Sequence, residues 1–216
     1  MHLFFKNRFL LLLTLLVLFL LLPAFFHEGL FVYILISIIL TLILIQSMYI
    51  AQVHDNRIQL SLIAGLLVLF SIWMDFILPF NQSIVNTISY LMIFAFFIYI
   101  VIILLRFLVR NKEVNLDTIY ASISIYLLIG ILGGFLFTAM YAFNPEAFSF
   151  TSLEEKKLLD FIYYSFVTMC TIGYGDIIPV TRETQTISFF MGIIGQLYLA
   201  IIVAILVGKY ISKPQK

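Results

Sequence analysis

Six long apolar runs separated by short polar turns constrain this chain more than any other feature. They are Phe9 to Phe26, Leu30 to Val53, Ile58 to Phe80, Ile84 to Leu105, Thr118 to Phe143 and Thr184 to Gly208. Crossing about 30 Å of hydrocarbon takes roughly 20 helical residues, and each run is near or above that length. Backbone polar groups in lipid must be satisfied within the segment or in a closed barrel. Barrel strands alternate polar and apolar positions, and these runs do not. The expected fold class is an all-α membrane protein with six transmembrane helices. Composition agrees, with 63% hydrophobic and only 11% charged residues, where a soluble surface is about 25–35% charged.

Charge then orients the spans. Lys6, Arg8, Arg57, Arg106, Arg110, Lys112, Lys209, Lys213 and Lys216 fall on the face that holds both termini, against Lys156, Lys157 and Arg182 opposite. Basic residues are retained on the cytoplasmic side, so both termini are expected there, in a cell (plasma or inner) membrane. Acidic residues such as Glu146, Asp160, Asp176 and Glu183 lean to the outer face. They either concentrate cations at an outward mouth or simply mark where basic residues were excluded. The first run, with Lys6 and Arg8 ahead of it, also has the form of a secretory signal. Leu22-Pro23-Ala24 offers only one of the two small residues that cleavage needs, and a retained helix keeps both termini on one side. It is read as the first span.

Between the fifth and sixth runs, Leu158 to Met169 reads as a short helix, because twelve residues cover only about 18 Å. Such a helix stops midway through the bilayer. Its carboxyl end carries partial negative charge and favours a cation held nearby. Thr171-Ile172-Gly173-Tyr174-Gly175-Asp176 follows. Glycines alternating around a tyrosine let consecutive carbonyls turn toward one axis. A ring of four such strands can replace the water shell of K+. The sequence holds one copy, so four chains are required.

This segment resembles the selectivity filter of the potassium channel family. The resemblance implies a potassium-selective channel that passes K+ passively, with Thr171 forming the innermost ion site through its hydroxyl and carbonyl. Ile172, Gly173 and Tyr174 would add carbonyls further out, and Gly173 and Gly175 would permit the backbone twist. Asp176 would close the motif at the outer mouth, with Thr168 and Cys170 supporting the filter from behind. The family's paired pore-helix aromatics are matched by Tyr163 and Tyr164, tyrosines in place of tryptophans, with Tyr163 expected to face Asp176 and Tyr164 to face Tyr174. Val167 stands where some members carry a carboxylate.

The implied plan is a four-helix domain over 1–110 and a re-entrant pore domain over 117–216. The latter comprises an outer helix 118–143, pore helix 158–169, filter 171–176 and inner helix 184–208. Gly195-Gln196-Leu197-Tyr198-Leu199-Ala200 looks like the inner helix of small bacterial potassium channels with extra helices ahead of the pore. Partners implied are three further copies in a homotetramer, membrane lipid and K+. No nucleic acid is expected, and no cofactor beyond the permeant ion.

Gating residues are less determined. Gly195, with Gly192 before it, is either a hinge, since glycine removes resistance to bending, or a packing site against Gly130, Gly133 and Gly134, since small residues let membrane helices approach. A voltage sensor needs basic residues at every third position, and Ile84 to Leu105 contains none. Arg106 and Arg110 are read as interfacial anchors. Asp75 has two readings, a regulatory or proton-sensing carboxylate and a local hydrogen-bonding group near Pro79. His27 and His54 are read as solvated turn residues.

The lone Cys170 excludes an intrachain disulfide. Only Lys209 to Lys216 follow the last run, so no cytoplasmic ligand-binding module is expected. No nucleotide fingerprint, metal-ligand cluster or nucleophile with a nearby base is present, so the chain is not expected to be an enzyme. Two other readings stand beside the selective channel. One is a weakly selective cation channel, and the other a non-conducting, regulatory subunit of a potassium transport system.

Overall fold

The computed structural model describes residues 7–26, 30–54, 58–77, 82–111, 114–151 and 158–211. His27 lies outside them, as do the side chains of His54 and Asp75. The chain is mostly helical: α1 Arg8–Phe25, α2 Leu30–His54, α3 Ile58–Ile77, α4 Gln82–Arg110, α5 Leu116–Phe143, α6 Leu158–Met169 and α7 Arg182–Ile211. Two three-residue strands, β1 Phe148–Phe150 and β2 Ile177–Pro179, were not anticipated from the sequence. Five of the helices carry stretches long and apolar enough to cross a bilayer: Arg8–Phe25, Ile34–Gln52, Ile88–Arg110, Leu116–Phe143 and Arg182–Lys209. In α3, a 20-residue helix, the apolar stretch found among the described residues is the shorter Leu62–Trp73.

Helix ends follow local chemistry more than hydropathy. Asn115 caps α5: its side-chain oxygen accepts from the Thr118 backbone N–H at 2.9 Å and from the Thr118 hydroxyl at 2.7 Å. That bond satisfies one of the orphan donors of the first turn, and Asp117 in the same turn complements the positive end of the helix. The helix therefore starts at Leu116, ahead of the apolar run.

The chain forms two compact units, Met1–Pro79 with Phe96–Leu128, and Phe80–Ala95 with Ile129–Lys216. In the first, Phe9 of α1 stacks on Phe107 of α4 with ring centroids 4.5 Å apart. The Gln46 amide of α2 donates to the Arg8 carbonyl at 2.8 Å. That bond occupies a carbonyl at the first residue of α1 while Leu12 and Leu16 are fully buried.

The second unit holds the carboxyl half of α5, α6, both strands and α7. Here α7 buries one narrow stripe, Thr184, Ser188, Met191 and Ile202. Phe189, Ile193, Leu197, Ile201 and Val207 stay exposed. Only 17% of the apolar window in α7 is buried, against 67% in α5, so most of α7 is uncovered in a single chain.

Candidate functional site

Glycines on α5 seat the short helix α6. A Cβ at Gly130 would overlap the Phe166 ring, one at Gly133 the Ser165 hydroxyl, and one at Gly134 would come within 2.7 Å of the Ile162 Cα. Removing three side chains from one face lets α6 approach α5 backbone to backbone. The sequence offered this face as a packing partner for Gly192 and Gly195. Instead it receives α6, with Met191 of α7 reaching only Gly133. Gly195 has a different neighbour, because a Cβ there would overlap the Met169 carbonyl at the end of α6. A Cβ at Gly192 would lie 3.5 Å from the Thr168 carbonyl, an ordinary contact. Close approach of the α6 terminus therefore explains Gly195 in packing terms.

Aromatic rings fix the other end of α6. Phe161 is fully buried, with Tyr141 and Phe148 rings each 5.2 Å from its own. Phe137 meets the Tyr164 ring edge-on at 4.9 Å. Each such pair adds about 0.5–1.5 kcal/mol beyond area burial, so α6 is held along its length before the chain leaves it.

Departure from α6 is a Schellman turn. The Thr171 N–H donates to the Thr168 carbonyl at 3.0 Å and the Ile172 N–H to the Val167 carbonyl at 2.9 Å. This pattern satisfies the last orphan carbonyls of a helix and puts the residue after its cap in the left-handed region, usually as glycine. Here that residue is Thr171, at φ 57°. A β-branched residue in this region is strained, and such strain concentrates at functional sites. Gly173 and Gly175 repeat the left-handed conformation at φ 61° and 79°. The Gly173 N–H also points back to the Val167 carbonyl, at 3.4 Å. Successive N–H groups thus converge on the helix end, and alternating backbone handedness turns the carbonyls the other way.

Among the described residues, no hydrogen bond reaches the carbonyls of Thr171, Ile172, Gly173, Tyr174 or Gly175. Ile172 is 51% and Tyr174 69% exposed, and a Cβ at Gly173 or Gly175 would meet nothing. One side of this segment is open in a single chain. Cys170 is half-buried and forms no disulfide.

The outer end of the strand is clasped. β2 follows Asp176 directly and pairs antiparallel with β1, Phe150 opposite Ile177 and Phe148 opposite Pro179. The Thr151 N–H donates to the Asp176 carbonyl at 3.1 Å, and the Val180 N–H to the Ala147 carbonyl at 2.9 Å. Sequence reasoning passed over this clasp; the alternation in Phe148-Ser149-Phe150 and the paired isoleucines Ile177-Ile178 were its only signal.

The two tyrosines of α6 part company. The Tyr163 side chain faces that of Asp176, and its ring lies parallel to that of Tyr174, 6.5 Å away with an 8° interplanar angle. The Tyr164 hydroxyl is 2.7 Å from Ser188 Oγ on α7. Within one chain, then, the ring beside Tyr174 is that of Tyr163, and Tyr164 is engaged by the following helix. Ser188 was not singled out in the sequence. No group of three or more His, Cys, Asp or Glu that could hold a metal occurs among the described residues.

The family model described as "Ion channel" matches residues 123–212, which include α6, the strand and α7. Two-pore potassium channel 5 of Arabidopsis thaliana is 34% identical over 94 residues, covering 44% of this chain and 21% of that protein. Residues 123–212 thus match the ion-channel family. Two-pore potassium channel 2 of Arabidopsis thaliana is 35% identical over 75 residues, 35% of this chain and 15% of its own length. Two pore potassium channel a of Oryza sativa is 32% identical over 92 residues, 43% of this chain and 24% of its own. The chain thus spans about a fifth of these potassium channels' length. No solved structure matches it.

Proposed function

We propose that this chain is one subunit of a homotetrameric, potassium-selective channel that passes K+ passively across a cell membrane. Each subunit gives six spans, with both termini cytoplasmic. Residues 1–110 form a peripheral four-helix domain, and residues 117–216 form the pore domain. In the latter, 118–143 is the outer helix, α6 a re-entrant pore helix, 171–176 the filter and 184–208 the inner helix. Thr171, Ile172, Gly173, Tyr174 and Gly175 line the ion path, the first also through its hydroxyl, with Asp176 at the outer mouth. Four strands facing one axis would surround K+ with main-chain dipoles in place of water.

The observation that carries this reading is the strand itself. Left-handed backbone at Thr171, Gly173 and Gly175, carbonyls that accept no hydrogen bond and open space beside both glycines suit a surface completed by other copies and filled by cations. The uncovered faces of α7 supply apolar area for those copies. Relatives of this region are named potassium channels, and K+ is the ion carried over from them.

Purified protein in liposomes should support K+ flux down a gradient, with reversal potentials in mixed K+ and Na+ set by K+. Gly175→Asp should abolish selective flux while the detergent-solubilised particle keeps the mass of four subunits. Unchanged selective flux in that variant, or a monomeric particle for the parent protein, overturns the proposal.

A further inference from the structure

We propose that Ser188 is a positioning residue for the filter, acting through the hydroxyl of Tyr164. This inference rests on the reading of Thr171–Gly175 as that filter. Tyr164 and Ser188 stand on different helices and are buried, 5% and 6% exposed. Their oxygens are 2.7 Å apart, and Ser188 Oγ is also 2.7 Å from the Thr184 carbonyl. A carbonyl only accepts, so the single Ser188 proton goes to Thr184 and the Tyr164 hydroxyl donates to Ser188. The bond therefore has one direction.

The relay continues outward. The hydroxyl of Thr184, itself fully buried, lies 3.0 Å from the Ala147 carbonyl and 3.0 Å from the Thr181 carbonyl, so its proton is shared between the two. The Ala147 carbonyl also receives the Val180 N–H, just beyond β2. Tyr164, Ser188, Thr184 and Ala147 thus link the middle of α6 to the clasp that holds Asp176. At the other end of the strand, Ile172 and Gly173 hang from Val167, one helical turn beyond Tyr164. The outer anchor of the filter is therefore tied to these buried polar groups, and the inner anchor hangs from the helix that carries Tyr164. Such a chain is costly to break, because a buried donor left without a partner loses its full desolvation cost. A site held by locked supporting groups keeps its geometry, and one whose support is lost is present but loose.

The test is K+-dependent thermal stabilisation of the purified full-length assembly, titrated at constant ionic strength with Na+ as the replacement. A ligand at concentration c that binds only the folded assembly stabilises it by RT ln(1 + c/Kd), so the titration gives the K+ midpoint, Kd, as the concentration above which the melting temperature climbs. Ser188→Ala should raise that K+ midpoint about tenfold, as the loss of one buried hydrogen bond implies. Tyr164→Phe should do the same, and the double variant should add little, since both remove one bond. Ser188→Thr, which keeps the hydroxyl, should stay near the parent value.

A merely structural role would lower the melting temperature equally in K+ and Na+ and leave the midpoint in place, which overturns the proposal. If Ser188→Ala does not assemble, an unchanged midpoint in Tyr164→Phe overturns it equally. Gly175→Asp separates this inference from its premise. Should that variant keep the parental K+ response, the filter reading fails and this inference with it. Should it lose the response while Ser188→Ala keeps the parental midpoint, only the role of Ser188 falls.

Discussion

The main-chain carbonyl of Met169 lies so close against Gly195 that no side chain fits between them; a Cβ at 195 would overlap that oxygen and the Met169 Cγ. One turn earlier, Gly192 has room, with the Thr168 carbonyl 3.5 Å from an added Cβ. Gly195→Ala should therefore destabilise the protein by about 1–3 kcal/mol through overpacking, less about 1 kcal/mol of helix propensity regained. Gly192→Ala regains the propensity without the overlap and should be neutral or stabilising. Thermal unfolding in detergent measures both. Equal losses at the two positions would mean that bending, to which either glycine contributes, matters more than the seat of the α6 terminus.

The glycines of the two units make a second contrast. At Gly134 an added Cβ meets the Ile162 backbone, Cα at 2.7 Å and N at 2.9 Å, whereas at Gly65 it meets only the side chain of Met48. Backbone cannot yield without moving α6. A methionine is unbranched and can swing aside, so Gly65→Ala should cost under about 1 kcal/mol, and Gly134→Ala about 1–3 kcal/mol or more. Denaturation midpoints of the two variants check the order, and a larger loss at Gly65 would contradict it.

What the sequence disclosed and what it withheld have a common physical basis. Apolar runs long enough for a bilayer are visible because lipid imposes both their length and their composition. Signals confined to one or two side chains fared worse. Asn115 falls between the two domains read from the sequence, yet its amide oxygen starts α5 two residues before the apolar run. The strands around Ser149 and Ile178 are three residues each, too short for an alternation to stand out. Small residues at Gly130, Gly133 and Gly134 announced that something approaches closely, but no pattern says which helix. The Tyr164–Ser188 bond joins positions 24 residues apart on separate helices, and such pairing is set by how α6 and α7 pack, not by spacing along the chain.

Tyr163→Phe isolates one hydroxyl. The substitution keeps the ring parallel to Tyr174 and removes the hydroxyl that meets Asp176. Tyr163 is 41% exposed, so water replaces the lost partner and stability should fall by no more than about 0.5–1.5 kcal/mol. Conduction should be more sensitive, because Asp176 continues directly from the segment proposed as the filter. In a liposome flux assay Tyr163→Phe should conduct for a shorter time than the parent before flux decays. Tyr163→Ala, which also removes the ring, should decay faster still. A parental time course for Tyr163→Phe would show that the clasp from Thr151, not the phenol, holds the outer end.

Thr171→Gly separates strain from function. Thr171 occupies the left-handed position after the α6 cap, φ 57°, where glycine is the usual residue and a side chain costs about 1–2 kcal/mol. Replacement by glycine relieves that cost and removes no backbone hydrogen bond, since the donors to Thr168 and Val167 are main-chain N–H groups. Part of the relief is lost again to the greater freedom of glycine in the unfolded chain. The variant should therefore fold with stability equal to the parent or up to about 1 kcal/mol above it. Its K+ over Na+ selectivity should nevertheless fall, because the hydroxyl proposed to complete the innermost site is gone and the backbone there is no longer restricted. Thermal unfolding and reversal potentials on the same preparation decide the matter. A variant that is both less stable and fully selective would show that Thr171 is held for packing, and that the left-handed backbone alone shapes the inner end of the ion path.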